Sequence, residues 1–586
     1  MENKMTEENK LEAQAANSNS IIGLSKVVVE YMEDGVDVIV TPDTPLPVTG
    51  SFSGGTVTVS DPISISYTDG ETEVPVTPTE PLPVTLASNY PTQPDFDPWP
   101  VYQPLSQDAF GGQIVSPLSQ EVALTFNYFI DADELRTYLV NSGTVTDSNS
   151  RMLVSTGTTT GSIARVKSNT CLRYRPGMGA MVRFTLGVTT GITGTEQTAG
   201  IGDEEDGYFF SYREHLGVLG MNIVRRYFGK RENRTLTITS GSTSAGNITI
   251  VLNDTTYTIA MSNNAGDANE TATEIANEIS TTDWIVTAKG NEVVFIAAAA
   301  GVRGGSYSFS AGTTGMAATL TQQVVGVAYS EEVIPQTSWN CDPANGSKGL
   351  PDMDWSKGNV FQIKYQWLGF GMIQFYIEDP NLGRLIRVHA IKFANTSTVP
   401  SLANPTMPFY FYANNGSTSS NVEMFTSSCA GFVEGNSNVI TGGNQKVFSH
   451  NRSVGSSETY IASLYNKSSF QNKNSRIQCA LLLISVSAAD GVTFKFYRNS
   501  TLTGTASWTS IGANSSVYYD TASDGFSGGN LSNAMRAEQQ TVNTYQTSDV
   551  QAGIITMHTD DVLTITGTSD AGTVKVGIAM NWIEYV

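Results

Sequence analysis

Histidine and cysteine are each present only four times in 586 residues, and neither is placed where chemistry would need it. A nucleophilic site wants an imidazole beside a Ser or Cys, but His215, His389, His450 and His558 stand in four different local settings without a motif. His389 alternates with apolar neighbours along a strand, the setting of a hydrogen-bonded or solvent-facing sheet histidine. Cys171, Cys341, Cys429 and Cys479 are too far apart for a paired metal or redox spacing and are read as reduced and mostly buried. No stretch reaches the roughly eighteen uninterrupted apolar residues of a membrane span, and Met1 to Asn17 is Glu/Lys/Asn/Ala-rich without the apolar centre of a signal peptide. Without an export signal, Asn-x-Ser/Thr sequons such as Asn395-Thr396-Ser397 carry no meaning in so Asn-rich a chain.

Charge is scarce as well. Charged residues make up 15%, well under the roughly 25% of ordinary soluble domains. The 33 basic side chains against 55 acidic ones leave a formal net charge of −22, which repels a phosphate backbone and excludes nucleic acid as a general partner.

What fills the chain instead is 40% hydrophobic and 9% aromatic residues, arranged as short Val/Ile/Tyr/Phe runs between Gly, Ser, Thr and Asn. This is the makeup of a mainly β protein, with a length that suggests three or four domains. Two near-copies of one phrase lie thirty-six residues apart: Val38-Ile39-Val40-Thr41-Pro42-Asp43-Thr44-Pro45-Leu46-Pro47-Val48-Thr49 and Val74-Pro75-Val76-Thr77-Pro78-Thr79-Glu80-Pro81-Leu82-Pro83-Val84-Thr85. Proline fixes φ, removes a donor and pushes the preceding residue out of the helical region, so these phrases read as extended or polyproline-like arm. An arm that cannot bury itself needs a surface, and a neighbouring copy supplies one. Pro42, Pro45, Leu46, Pro47 and Val48, with Pro78, Pro81, Leu82, Pro83 and Val84, are therefore the expected interface residues, and residues 1–104 the anchoring arm and linker.

Strand grammar starts after the arm, with Val122 to Phe129, Ala164 to Lys167, Met181 to Leu186 and Gly207 to Tyr212, and resumes in Val360 to Trp367, Met372 to Ile377 and Leu385 to Ile391. These predict a split β-sandwich of jelly-roll type over 105–233 and 326–437. Between the halves, 234–325 holds the clearest helix of the chain, with Ala268, Ala272, Ile275, Ala276 and Ile279 on one face and Asp267 followed by Glu270 as its cap. We read this insertion as a β-β-α-β-β module. Runs such as Ala480 to Val486, Val492 to Tyr497 and Val574 to Trp582 predict a C-terminal β-sandwich over 438–586.

The stretch Arg151 to Gly157, Leu172 to Gly177, Ala199 to Gly202 and Asp206 to Phe210, with Gly358 to Ile363, Trp367 to Gly371 and Phe494 to Asn499, resembles structural proteins of tailed bacteriophages and some large DNA viruses. The resemblance covers roughly residues 105 to 586 and consists of turn and strand phrases. It implies a virion component of tail-fibre, collar or head-decorating type, made in the host cytoplasm and working with other virion structural proteins.

Three candidate chemistries remain. Asp203, Glu204, Glu205 and Asp206 crowd enough carboxylates onto one turn for a calcium ion, although they lack EF-hand spacing and a solvated turn is the plainer reading. Asp352 and Asp354 beside Trp355 have the composition of a glycoside-hydrolase pair, which arises by chance in a sandwich this large. Arg225, Arg226, Lys230, Arg231 and Arg234 interleave with aromatics as in a nucleic-acid groove, but in so acidic a chain they point to an acidic face of a neighbouring subunit. The expectation is a non-enzymatic, cofactor-free homo-oligomer, a trimer for preference, without membrane insertion. A carbohydrate-binding adhesin that grips host surface glycans is the alternative, and a polysaccharide depolymerase the third reading.

Overall fold

The computed structural model describes residues 118–435, 444–538 and 556–585 in full, and the backbone of 30–33, 36–39, 66–69, 72–75 and 542–546. The chain divides into two compact units, Met1–Tyr90 and Pro91–Val586.

In the first unit, Glu30–Glu33 pairs with Val36–Ile39 and Ser66–Asp69 with Thr72–Pro75, each as an antiparallel hairpin. The second hairpin lies thirty-six residues after the first, strand for strand. The repeat unit is thus larger than the proline phrase: it begins with a β-hairpin whose second strand holds the first two residues of each phrase, where the sequence suggested extended chain alone. The ten proposed interface residues of the two phrases lie outside the described residues, as does the linker to position 104.

The second unit is mainly β, with the single α-helix α1 (Ala268–Glu278) among its described residues. Residues on either side of the insertion form a sandwich of a nine-stranded and a seven-stranded antiparallel sheet. In the nine-stranded sheet Arg384–Ile391, Ile373–Asp379, Asn359–Tyr365 and Ala180–Val188 lie in that order, so strands from both halves are neighbours. The seven-stranded sheet runs Ser330–Pro335, Val218–Tyr227, Gly207–His215, Glu196–Gly202, Met407–Asn414, Ile163–Leu172, Leu135–Val140.

Period-two alternation delivers the core. Phe361, Ile363 and Tyr365 point inward from one strand, and Ile373, Phe375 and Ile377 from its partner. Phe184 stacks on Phe361 at 5.6 Å between ring centroids, and Phe210 meets Phe361 at 4.7 Å and Phe375 at 5.5 Å. Such rings contribute most of the burial energy, and truncating one costs about 3–5 kcal/mol. One expected feature differs. The first strand is Leu118–Thr125, not a run to Phe129, because Phe126 is the last inward residue and Tyr128 and Phe129 face solvent. Phe409, Tyr410 and Phe411 are buried, as aromatics on a strand commonly are.

The insertion is β-β-β-α-β-β-β-β, with three strands more than the β-β-α-β-β expected. Its four-stranded sheet (Trp284–Lys289, Glu292–Ala297, Asn233–Ser240, Ala317–Val324) and three-stranded sheet (Thr255–Met261, Gly246–Leu252, Tyr307–Ser310) enclose a core of their own. Ala268, Ala272 and Ile275 of α1 are buried in it, and the Asp267 side chain accepts the Glu270 N–H, as the cap predicted. The C-terminal sandwich packs five- and six-stranded sheets around Trp582, Phe494 and Phe496. Among the described residues no helix is long and apolar enough to cross a membrane.

Candidate functional site

The acidic turn joins two strands of the seven-stranded sheet, Glu196–Gly202 and Gly207–His215. Asp203 shapes it: its Oδ1 accepts the N–H groups of Glu205 and Asp206 at 2.8 and 3.3 Å. All four acids are buried. They are not the solvated turn that composition suggested, since a chain fold brings a cation to each.

Glu204 lies 2.9 Å from Arg165 and 2.9 Å from Lys167, both on strand Ile163–Leu172, two places from Glu196–Gly202 in the same sheet, and 3.6 Å from Arg231. Glu205 accepts from the Arg231 N–H at 2.9 Å and from Asn474 Nδ2 at 2.5 Å. Asp206 accepts the N–H groups of Phe228 and Ala403. Arg476, from the C-terminal sandwich, grips Asp203 by two bonds of 2.6 and 3.1 Å and donates to the carbonyls of Asn404 and Thr406. Four carboxylates thus face the four cations Arg165, Lys167, Arg231 and Arg476. Burial works to raise the Glu204 carboxyl, but Arg165, Lys167 and Arg231 overcome it and hold Glu204 well below the usual range. Asp203 is likewise lowered, against burial, by Arg476 and Lys167, whereas burial wins at Glu205 and Asp206 and raises them. Lys167 is brought down to about 8 by burial and by the nearby Arg231 charge. A calcium ion would have to displace these guanidinium partners, and among the described residues no three His, Cys, Asp or Glu side chains converge in a metal-holding geometry.

The basic run is spent inside the chain too. Arg226 is buried, bridged to Glu331 at 3.2 Å, and Arg225 pairs with Glu332 at 3.5 Å while lying over the Tyr227 ring. Arg234 bridges Glu232 at 2.8 Å. The expected role of Arg225 and Arg226 in meeting a neighbour's acidic face gives way to pairing with strand Ser330–Pro335, 105 and more residues downstream.

Residues without a sequence signal complete the junction. Thr170 Oγ1 meets His558 Nε2 at 3.0 Å, and His558 Nδ1 stands 3.4 Å from Asp561. This is the order of a nucleophile–base–acid site, but the Nδ1 contact lacks hydrogen-bond geometry and His558 is buried in the seam between sandwiches. Asp561 accepts the His558 backbone N–H at 2.8 Å; burial raises its carboxyl, yet its contacts with His558, Arg136 and Arg498 bring it to about 2. His389 is hydrogen-bonded, its Nδ1 accepting from the Asn340 N–H at 3.1 Å, and burial lowers it to about 4, so it is neutral. Asp352 and Asp354 do not form an acid pair: Asp354 is held by Ser356, and Trp355 points into the core.

The insertion is tied to the C-terminal sandwich by the N-terminus of α1. Asp267 Oδ2 accepts the Gly504 N–H at 2.5 Å, Asn269 Oδ1 accepts the Ala506 N–H at 3.1 Å, and Asn269 donates its N–H to Gly504 O. Trp508 donates to Lys289 O at 2.9 Å and Lys467 bridges Glu292 at 2.8 Å. It also touches the first sandwich, through Arg165 to Ala298 O at 2.8 Å and Tyr138 to Thr282 O.

No protein-family model matches this chain, and no curated protein matches it. Among solved structures it is similar to the carbohydrate recognition domain of Emp47p (9% identity, 56% of this chain, 100% of that one, TM-score 0.24). It is also similar to lectin II from Ulex europaeus (9%, 54% and 100%, 0.20) and to an archaeal virus protein described by its triple jelly roll fold and turret assembly (7%, 80% and 97%, 0.15).

Proposed function

We propose that this chain is a non-enzymatic structural protein of a virion that self-assembles through its repeated N-terminal elements, with a closed trimer preferred, and displays a rigid body of three β modules. The observation that carries the reading is the allocation of its ionisable groups. The acidic turn, the basic run and the His558–Asp561 pair, where a sequence search for catalysis would look, are taken up by charge partners within the chain, and one of these pairs, Asp203–Arg476, joins the first sandwich to the C-terminal one. Charge spent this way holds distant strands together, and among the described residues these three groups are engaged with partners of the same chain. The hairpin-and-proline repeat supports assembly, because two equivalent elements thirty-six residues apart suit a surface that itself repeats.

Labelling of purified particles with an antibody to the C-terminal sandwich tests the reading, and regular labelling at one site on the particle is the expected result. Absence from particles, together with binding to immobilised host polysaccharide, would replace it with the adhesin reading. Release of soluble sugar would replace it with a depolymerase.

A further inference from the structure

The tripeptide Asn-Gly-Ser occurs twice, at Asn345-Gly346-Ser347 and at Asn415-Gly416-Ser417. A glycine after asparagine leaves its peptide nitrogen unshielded by a side chain, so that nitrogen can attack the carboxamide carbon ahead of it. The fold treats the two copies in opposite ways. Asn415 is fully buried: its Nδ2 donates to Thr159 O at 2.8 Å, its Oδ1 accepts the Ser162 N–H at 2.9 Å, and the Gly416 N–H is spent on Asn414 Oδ1 at 2.8 Å. Carboxamide and nitrogen are each held by other groups. Asn345, Gly346 and Ser347 are all exposed. Asn345 Oδ1 accepts from the Ser347 N–H at 3.2 Å and from Ser347 Oγ at 2.6 Å, which folds the carboxamide back along the Gly346 peptide. Gly346 takes a φ of 78°, and a Cβ placed there would meet Asp352 N alone, at 3.6 Å, so the approach is open. A single bond of 3.2 Å, to Leu350 O, holds the Gly346 N–H.

We propose that Asn345 is a site of spontaneous covalent modification, where the chain converts its own carboxamide to aspartate and isoaspartate with Ser347 as the oxyanion donor. The Gly346 nitrogen loses its proton and bonds to Asn345 Cγ, and the carbonyl electron pair moves onto Oδ1. Two donors from Ser347 already point at that oxygen, where the negative charge develops. Collapse breaks the Cγ–Nδ2 bond, expels ammonia and closes a succinimide ring. Water then opens the ring, giving aspartate when the Cγ–N bond breaks and isoaspartate when the backbone C–N bond of residue 345 breaks. Isoaspartate lengthens the backbone by one atom beside Ala344, which is fully buried in the core that also holds Leu350, Met353 and Trp355. It also disturbs the bridge between Asn345 and Asp352 and the bond from the Met353 N–H to Ala344 O.

Prolonged incubation of the folded full chain in mildly alkaline buffer, with fragmentation mass spectrometry to locate each amide-to-acid conversion, tests the proposal. Asn345 should convert at least about tenfold faster than Asn415 in the folded chain, and the two rates should converge in concentrated urea, because the tripeptides are identical. Ser347→Ala should slow Asn345 about fivefold in the folded chain, the worth of one hydrogen bond, and matter less in urea. Conversion of Asn345 no faster than that of Asn415 in the folded chain would overturn the site, and a Ser347→Ala rate equal to wild type would overturn the oxyanion role. Isoaspartate-bearing chains, separated by their added negative charge, should melt below fresh ones; equal melting temperatures would overturn the coupling to the core.

Discussion

Arg476 lays its guanidinium across both oxygens of Asp203, at 2.6 and 3.1 Å, and so ties the C-terminal sandwich to a turn of the first sandwich 273 residues earlier. Both side chains are buried, and breaking such a pair from one side leaves an uncompensated charge in low dielectric. Arg476→Ala should cost about 3–5 kcal/mol, and Arg476→Met with Asp203→Leu should cost less than either single change. Chemical denaturation checks it; single variants within about 0.5 kcal/mol of wild type would show that the pair does not secure the junction.

Acid should loosen the fold in two separable steps. Burial lowers His389 to about 4 in the fold, below its ordinary 6.5, so as pH falls from about 6.5 to about 4 the unfolded chain takes up a proton that the folded one refuses. Stability therefore drains in that window, and His389→Gln should remove this part. Asp561 is depressed to about 2 from 3.8, so its contribution, about 2 kcal/mol, is present above pH 3.8 and lost towards pH 2. Glu204 and Asp203 act in the same direction, and the raised Glu205 and Asp206 partly oppose them. Urea titrations at a series of pH values would read both steps, and Asp561→Asn should lessen the loss below pH 4 by about 2 kcal/mol while the part due to Asp203 and Glu204 remains.

Leu216 and Gly217 form the tip between Gly207–His215 and Val218–Tyr227, with φ of 51° and 79°. A two-residue tip with both φ positive favours Asn-Gly, and a leucine there is strained by roughly 1–2 kcal/mol as well as 89% exposed. Leu216→Asn should therefore stabilise the protein by about 1 kcal/mol. A lower melting temperature would show that the leucine makes a contact of its own.

The insertion has its own core, yet Asp267 and Asn269 spend their side chains on the C-terminal sandwich. Asp267→Ala should cost about 1–3 kcal/mol, because it removes the cap of α1 and leaves the Gly504 N–H unpaired. Deletion of residues 234–325 should make the 499–529 region newly sensitive to protease, where a freely tolerated insertion would leave the digestion pattern unchanged.

The sequence alone determined the elements whose signal is local. Alternation in Asn359–Tyr365 and Ile373–Asp379 fixes strands because a pleated strand sends every second residue to the core, and Asp267 with Glu270 fixes the start of α1 because a helix must satisfy its first N–H groups. The Pro-rich repeat was visible for the same reason, and so was a hairpin signal that the expectation of an extended arm passed over: Asp34-Gly35 stands between Glu30–Glu33 and Val36–Ile39, and Asp-Gly favours a two-residue hairpin turn. Only the tertiary structure decided what the charges do. Asp203 to Asp206 read as solvated, or as a calcium loop, because their cations stand at 165, 167, 231 and 476, and Arg225 and Arg226 read as a surface because Glu331 and Glu332 arrive only after the whole insertion has passed. Secondary structure follows periods of two and 3.6 residues, whereas charge pairing is set by which distant strands become neighbours.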